Sequence, residues 1–181
     1  MHLSIRESGA ADIDRIVSYF LDGDLAFLDG MGVDPGKLPE RTVWRDSLLA
    51  EAELPMEDRA RYYVIWEIDG VAVGHSNLSD AQFGVQAHVH LHMWDPTVRG
   101  QGSGTQLVRR SIDRYFELFE LETLFSEPYA LNPAPNRTLP NLGFQLVETY
   151  DGLPSPIAYS QPVNRWRLTR PEWEVVRREW G

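Results

Sequence analysis

Residues 86–119 read QAHVHLHMWDPTVRGQGSGTQLVRRSIDRYFELF, and this stretch decides the fold. Its first nine residues alternate, because Val89, Leu91 and Met93 point to one side and the three histidines His88, His90 and His92, with Trp94, to the other. Alternation with a period of two predicts a half-buried strand. Pro96 ends this strand, since proline has no N–H to contribute to a sheet ladder.

A glycine-rich loop and a helix are predicted to follow the strand. The helix shows one apolar stripe, formed by Val108, Ile112, Tyr115, Phe116 and Phe119. Glycines let backbone N–H groups converge on an anion, and the first turn of a helix adds the positive end of its dipole. Arg99 adds a cation beside the loop. The unit therefore predicts a phosphate or pyrophosphate site.

Two common nucleotide loops do not fit this sequence. A P-loop requires Gly-Lys-Ser/Thr, but the only lysine of the chain is Lys37. A dinucleotide-binding loop requires G-x-G-x-x-G and repeated βαβ units, whereas the spacing here is G-x-G-x-G without such repeats. Hydrolysis of nucleoside triphosphates and dinucleotide binding are both disfavoured.

The hexad Arg99-Gly100-Gln101-Gly102-Ser103-Gly104 resembles the acyl-coenzyme A loop of GNAT acetyltransferases at every defined position of Arg/Gln-x-x-Gly-x-Gly/Ala. A second GNAT-like motif follows, with a strand at 123–127, Asn132, a short helix at 136–142, and Gly143-Phe144. Leu139 stands where many members carry a tyrosine acid. The resemblance covers roughly residues 60 to 150, and is closest to the ribosomal-protein N-terminal acetyltransferase branch.

This resemblance implies a GNAT fold of the α/β (α+β) class, with a mixed, mostly antiparallel twisted sheet of six to seven strands and flanking helices. It implies an N-acetyltransferase that moves an acetyl group from acetyl-CoA to a primary amine by direct attack, which agrees with the absence of cysteine. The implied cofactor-binding residues are Met93, Trp94, Asp95, Arg99, Gly100, Gln101, Gly102, Ser103, Gly104, Thr105, Asn132 and Asn136. Backbone N–H groups near the first three are candidate donors to the thioester carbonyl.

Two kinds of residue compete for the role of general base. Glu127 occupies the place where some N-terminal acetyltransferases carry a carboxylate, five residues before Asn132. His88 and His90 lie on the strand before the glycine loop, and an imidazole needs little pKa adjustment to act near neutrality. We favour Glu127 together with His88 or His90 as a shared proton path. Tyr129 and Tyr150 are candidate acids, and the sequence does not choose between them.

Composition limits the partners. The chain has 181 residues, a formal net charge of −10 and no cysteine. These values predict one domain over residues 1–181, without nucleic acid as a partner and without a Cys-based zinc site. No apolar run approaches the length of a membrane span, so no membrane partner is expected, and no metal is expected as a cofactor. A cytoplasmic location is expected, with a homodimer allowed. The acidic stretch 22–39, a predicted loop with at most one helical turn, is a candidate wall for a cationic acceptor through Asp22, Asp24, Asp29 and Asp34.

Two other classes remain open at this point. The chain could be a non-catalytic coenzyme A-binding sensor. The row His88, His90 and His92, with His75 nearby, could instead hold a metal as in cupin-like proteins, although the glycine loop would then have no role.

Overall fold

The computed structural model of the chain describes residues 1–95, 97 and 102–180. Seven strands form one sheet in the order β1-β2-β3-β4-β5-β7-β6. The strands are β1 (Leu3–Glu7), β2 (Tyr62–Ile68), β3 (Val71–Gln82), β4 (Gln86–Met93), β5 (Thr123–Ser126), β6 (Gln145–Gly152) and β7 (Gln161–Thr169). The predicted mixed, mostly antiparallel sheet of six to seven strands is confirmed.

One pair of neighbouring strands in this sheet is parallel, and the candidate site described below lies beside it. Strands β4 and β5 run parallel and pair only at Gln86↔Thr123, Ala87↔Leu124 and His88↔Phe125. All the other strand pairs are antiparallel. The connection from β4 to β5 passes through the predicted glycine loop and helix, as a parallel crossover requires.

Helices cover both faces of the sheet. They are α1 (Ala10–Leu21), α2 (Leu25–Met31), α3 (Arg41–Ala52), α4 (Ser103–Leu118), α5 (Pro133–Thr138) and α6 (Arg170–Val176). The main core lies between the sheet, α4 and α6, where the rings of Phe116 and Trp173 stack 4.7 Å apart. Helix α1 packs on the opposite face, with Phe20 against His92 at 5.2 Å. Within the described ranges, no helix has the length and hydropathy needed to cross a membrane.

Three local predictions were wrong in their boundaries. The stretch 22–39 contains the seven-residue helix α2, because Asp24 caps its first turn and Gly32 ends it with φ of 75°. The sequence also predicts a turn over residues 79–84, but this segment is largely strand, since β3 continues to Gln82 through an irregularity in its pairing with β4. The short helix predicted at 136–142 begins earlier, at Pro133, because Asn132 caps it.

Candidate active site

Strands β4 and β5 stop pairing part-way along β4, and we call the space between them beyond that point the cleft. Their pairing ends at His88↔Phe125, whereas β4 stays paired with β3 as far as Met93↔Gly74. At the divergence, the Ser126 hydroxyl donates a hydrogen bond to the Val89 carbonyl at 3.1 Å. Beyond this point one side of β4 has lost its neighbouring strand, and the backbone there faces the cleft.

The backbone N–H groups at the end of β4 point to different sides of the strand. The N–H groups of Trp94 and Asp95 both donate to the Val73 carbonyl, at 2.9 and 3.2 Å, and therefore point to β3. Because backbone groups alternate sides along a strand, the N–H groups of Leu91 and Met93 are directed to the cleft side. Of the three predicted donors to a thioester carbonyl, Met93 has the appropriate direction.

The N-terminus of α4 borders this cleft. Gly102 precedes the 16-residue helix with φ of 77°, a left-handed conformation that glycine adopts without strain. A Cβ on Gly104 would lie 3.6 Å from Met93 Cε, so the first turn of α4 lies against the end of β4. Ser103, Gly104 and Thr105 form that first turn, where a helix offers N–H groups and the positive end of its dipole to an anion. This geometry fits a diphosphate, while the predicted residues Arg99, Gly100 and Gln101 lie outside the described residues.

Both predicted asparagines have structural contacts. The Asn132 side chain caps α5 by accepting from Ala134 N at 3.3 Å. Asn136 Nδ2 donates to the Asn132 carbonyl at 2.7 Å, and its Oδ1 accepts from Asn164 Nδ2 and Trp166 Nε1, both at 2.9 Å. Asn136 therefore ties the loop after β5 to β7, a role that the motif alone did not indicate.

Glu127 and His88 come together where the pairing of β4 and β5 ends. The Glu127 side chain is only 7% exposed, and its Oε2 lies 3.8 Å from His88 Nε2. Arg165 of β7 forms ion pairs with both Glu127 and Glu148. Sequence reasoning missed Arg165 as a site residue, although its position in an alternating strand was visible. This guanidinium holds the Glu127 carboxylate in place beside the imidazole.

Tyr150 belongs to the same group of side chains. Its ring lies 4.9 Å from the Arg165 guanidinium carbon. Burial first, and then the neighbouring Glu127 carboxylate, raise the pKa of the Tyr150 hydroxyl. The hydroxyl is therefore protonated at neutral pH and is able to donate a proton, as an acid must.

Three further histidines lie on the sheet face that carries His88. We call His75, His90 and His92 the imidazole cluster. Burial, and secondarily neighbouring histidines, lower the pKa of His90 to about 4 and that of His92 to about 3, and place that of His75 well below its usual value. His75 and His92 stack with ring centres 4.5 Å apart, and Trp94 Nε1 donates to His75 Nδ1 at 2.8 Å. The cluster is therefore neutral at neutral pH.

Several imidazole nitrogens on this face are buried without a hydrogen-bond partner in the described part of the chain: His75 Nε2, His88 Nδ1 and His92 Nδ1. Such atoms are costly to leave unpaired. Among residues 1–95, 97 and 102–180, no three or more His, Asp or Glu side chains are grouped so as to hold a metal ion. The metal-site alternative thus finds no ligand group in this region.

The acidic stretch is largely occupied by structural contacts. Asp22 pairs with Arg41 at 2.6 Å, and the side chains of Asp24 and Asp34 cap α2 and the short 3-10 helix Pro35–Lys37. Among the four aspartates predicted to meet a cationic acceptor, Asp29 is the one whose side chain forms neither an ion pair nor a helix cap in the described part of the chain.

The parallel strand pair, its divergence and the glycine-led helix define an acyltransferase of the acyl-coenzyme A type. The acetyltransferase (GNAT) family profile matches residues 35–144, more than half of the chain, and the chain belongs to this family. The predicted GNAT resemblance is confirmed, and family membership makes acetyl-CoA the co-substrate of acetyl transfer.

Solved structures agree with this fold. A spermidine N-acetyltransferase from Vibrio cholerae, in complex with CoA and spermine, is 15% identical with a TM-score of 0.76 and covers 95% of this chain and 98% of its own. A ribosomal-protein-S5-alanine acetyltransferase from Vibrio fischeri is 18% identical with a TM-score of 0.75 and covers 96% of each chain. A search of curated proteins found no match. At such identities these likenesses support the fold alone.

Proposed function

We propose that the chain is an N-acetyltransferase that transfers the acetyl group of acetyl-CoA to a primary amine by direct attack. The observation that carries this proposal is the divergence of β4 and β5 after His88↔Phe125. The resulting cleft has a helix N-terminus at one side and the Glu127–His88 pair at the point where the two strands part. A thioester lying in the cleft would have the N–H of Met93 directed at its carbonyl oxygen.

The proposed reaction has one chemical step and requires no covalent enzyme intermediate. The amine nitrogen attacks the thioester carbon, the new N–C bond forms and the C–S bond breaks, releasing the coenzyme A thiolate. Donors that stabilise the developing oxyanion lower the barrier. The proton lost by the amine passes to the His88–Glu127 pair, where the ion pair with Arg165 keeps the carboxylate in position. Tyr150 is the proposed proton donor to the thiolate.

The proposed cofactor contacts follow from the same geometry. The diphosphate is assigned to the first turn of α4, at Gly102, Ser103, Gly104 and Thr105, and to the preceding Arg99, Gly100 and Gln101. The end of β4, at Met93, Trp94 and Asp95, lies along the thioester arm. We assign Asn132 and Asn136 to the shape of the cleft wall, because their side chains hold the loop after β5.

The acceptor is proposed to be a primary amine, bound on the sheet face that carries the neutral imidazoles. Two structural neighbours are named for amine substrates, one for spermidine and one for a ribosomal protein. A face of neutral imidazoles beside a carboxylate does not repel a cationic amine. The net charge of −10 further favours the approach of cations over anions.

The proposal is tested with acetyl-CoA and a panel of primary amines: polyamines, peptides with free N-termini and aminoglycosides. Released thiol and the mass of the product are measured together. An acetylated amine formed in step with free coenzyme A supports the proposal. Binding of acetyl-CoA without turnover of any amine contradicts it and favours a coenzyme A sensor.

A further inference from the structure

Near the end of β3, a hydroxyl and a carboxylate lie next to His90. The register of β3 against β4 is regular up to Ser79↔His88 and shifts before Gln82↔Gln86. Asp80, within this irregularity, has φ of 49°. That left-handed backbone is uncommon for residues other than glycine, and aspartate tolerates it better than most. Strained backbone of this kind is often found at functional sites.

Two hydrogen bonds connect the three side chains. Ser79 Oγ lies 2.9 Å from His90 Nε2, and it donates to Asp80 Oδ2 at 3.2 Å. A serine hydroxyl carries one proton, and an ionised carboxylate can only accept. The hydroxyl proton is therefore directed to Asp80, and the serine oxygen accepts the Nε2–H of His90. This chain of bonds leaves Nδ1 of His90 as the nitrogen with the free lone pair.

The charge state of His90 agrees with this arrangement. Burial first, and then the neighbouring His88, lower its pKa to about 4, while Asp80 and Glu127 act in the opposite direction without offsetting the burial. The ring is neutral at neutral pH, so its two nitrogens differ: one donates and the other accepts. Which nitrogen accepts is decided by the Ser79 contact.

We propose that Asp80 and Ser79 are positioning residues, which hold His90 as the Nε2–H tautomer so that Nδ1 accepts a hydrogen bond from the acceptor amine. This role rests on the proposed amine acetylation, because His90 lies on the same face as His88 and Glu127, beside the cleft. The relay selects a group that carries a proton: an amine can donate to Nδ1, whereas an ionised carboxylate or phosphate cannot.

The test reads the tautomer by ¹⁵N NMR of the histidine rings, with His90→Gln to assign the signals. We expect Nε2–H in the wild-type protein. In Asp80→Gly the serine proton no longer has a carboxylate acceptor, so it is donated to Nε2 and the ring proton moves to Nδ1. Asp80→Asn keeps an acceptor oxygen and a left-handed backbone, and should retain Nε2–H. Glu120→Gly, another change at a left-handed residue, is the matched control and should leave His90 unchanged.

Kinetics with an accepted amine provide the second readout. Asp80→Gly and Ser79→Ala should each raise KM for the amine about tenfold, roughly the effect of one hydrogen bond to a charged group, with KM for acetyl-CoA unchanged. Ser79→Thr, which keeps the hydroxyl, should restore the wild-type KM.

Different results overturn the two proposals. An Nδ1–H ring in the wild type, or an unchanged tautomer in Asp80→Gly, refutes the relay whatever the activity. Acetylation of Ser79 after mixing with acetyl-CoA also refutes it, since the serine would then be a nucleophile. Failure of every amine to be acetylated counts against the proposed function, while NMR still decides the tautomer without turnover.

Discussion

Replacing Gly102 by alanine should separate the needs of the fold from the needs of the cofactor. Gly102 has φ of 77°, and a Cβ added there would meet no atom of residues 1–95, 97 and 102–180 within 4 Å. The cost of the new methyl to the free protein is therefore torsional, about 1 kcal/mol for an L-residue in this region. For a domain of this size, that corresponds to a fall in Tm of about 2–4 °C.

Gly84 provides a matched control in the turn between β3 and β4. Its φ is 72°, and a Cβ there would likewise meet nothing within 4 Å. Gly84→Ala should therefore lose the same stability as Gly102→Ala. Only the Gly102 variant places a methyl where the proposed diphosphate approaches the backbone, so acetyl-CoA affinity should fall at least tenfold in that variant, about 1.4 kcal/mol, and stay unchanged in the other.

Urea unfolding and isothermal titration with acetyl-CoA measure the two effects on the same samples. Loss of stability in both variants, with loss of affinity in Gly102→Ala alone, is the expected pattern. Equal affinities in the two variants would refute the reasoning, because Gly102 would then serve only to start α4.

Three further predictions concern the rest of the site. Asn136→Ala removes the hydrogen bonds of both the Nδ2 and the Oδ1 atom and should lower the free energy of unfolding by about 2–4 kcal/mol. The control Asn141→Ala removes one hydrogen bond of an exposed side chain and should cost less than about 0.5 kcal/mol. The imidazole cluster stays neutral in the folded protein, whereas histidines of the unfolded chain take up protons below about pH 6.5. The free energy of unfolding is therefore at its full value above that pH and falls below it. At pH 5.5, urea unfolding should show a decrease of about 1.4 kcal/mol per histidine. Glu127→Gln and His88→Ala should each lower kcat about 100-fold with acetyl-CoA affinity intact; kcat within a few-fold of wild type at every pH would mean that catalysis is by positioning alone.

The parts of the fold that depend on local pattern were predictable. Alternation indicated β4, the apolar stripe indicated α4, and Asp69-Gly70 indicated the hairpin between β2 and β3, where both residues have positive φ. These features are read over a few residues, because the period of a strand or helix and the preference for a tight turn are local properties. The sequence of the glycine loop indicated the co-substrate of the family for the same reason.

The parts that depend on strand register were not predictable. Arg165 meets Glu127 across 38 positions of sequence, and the contact of Ser79 with His90 depends on the register of β3 against β4, in which Ser79 lies opposite His88. Helix α2 was missed because Gly30 lies within it and the stretch is rich in aspartate, both unfavourable to helix on propensity alone. The helix forms because the Asp24 side chain caps its first turn and Leu28 packs in the core.

The most direct test of the proposed acetyl-CoA site is a crystal structure of the chain with coenzyme A bound. We expect the diphosphate at the first turn of α4, beside Gly102, and the thiol sulfur in the cleft between β4 and β5, with Met93 N–H directed at the position of the acetyl oxygen. Coenzyme A bound at another surface, or a thiol directed away from His88 and Glu127, would contradict it.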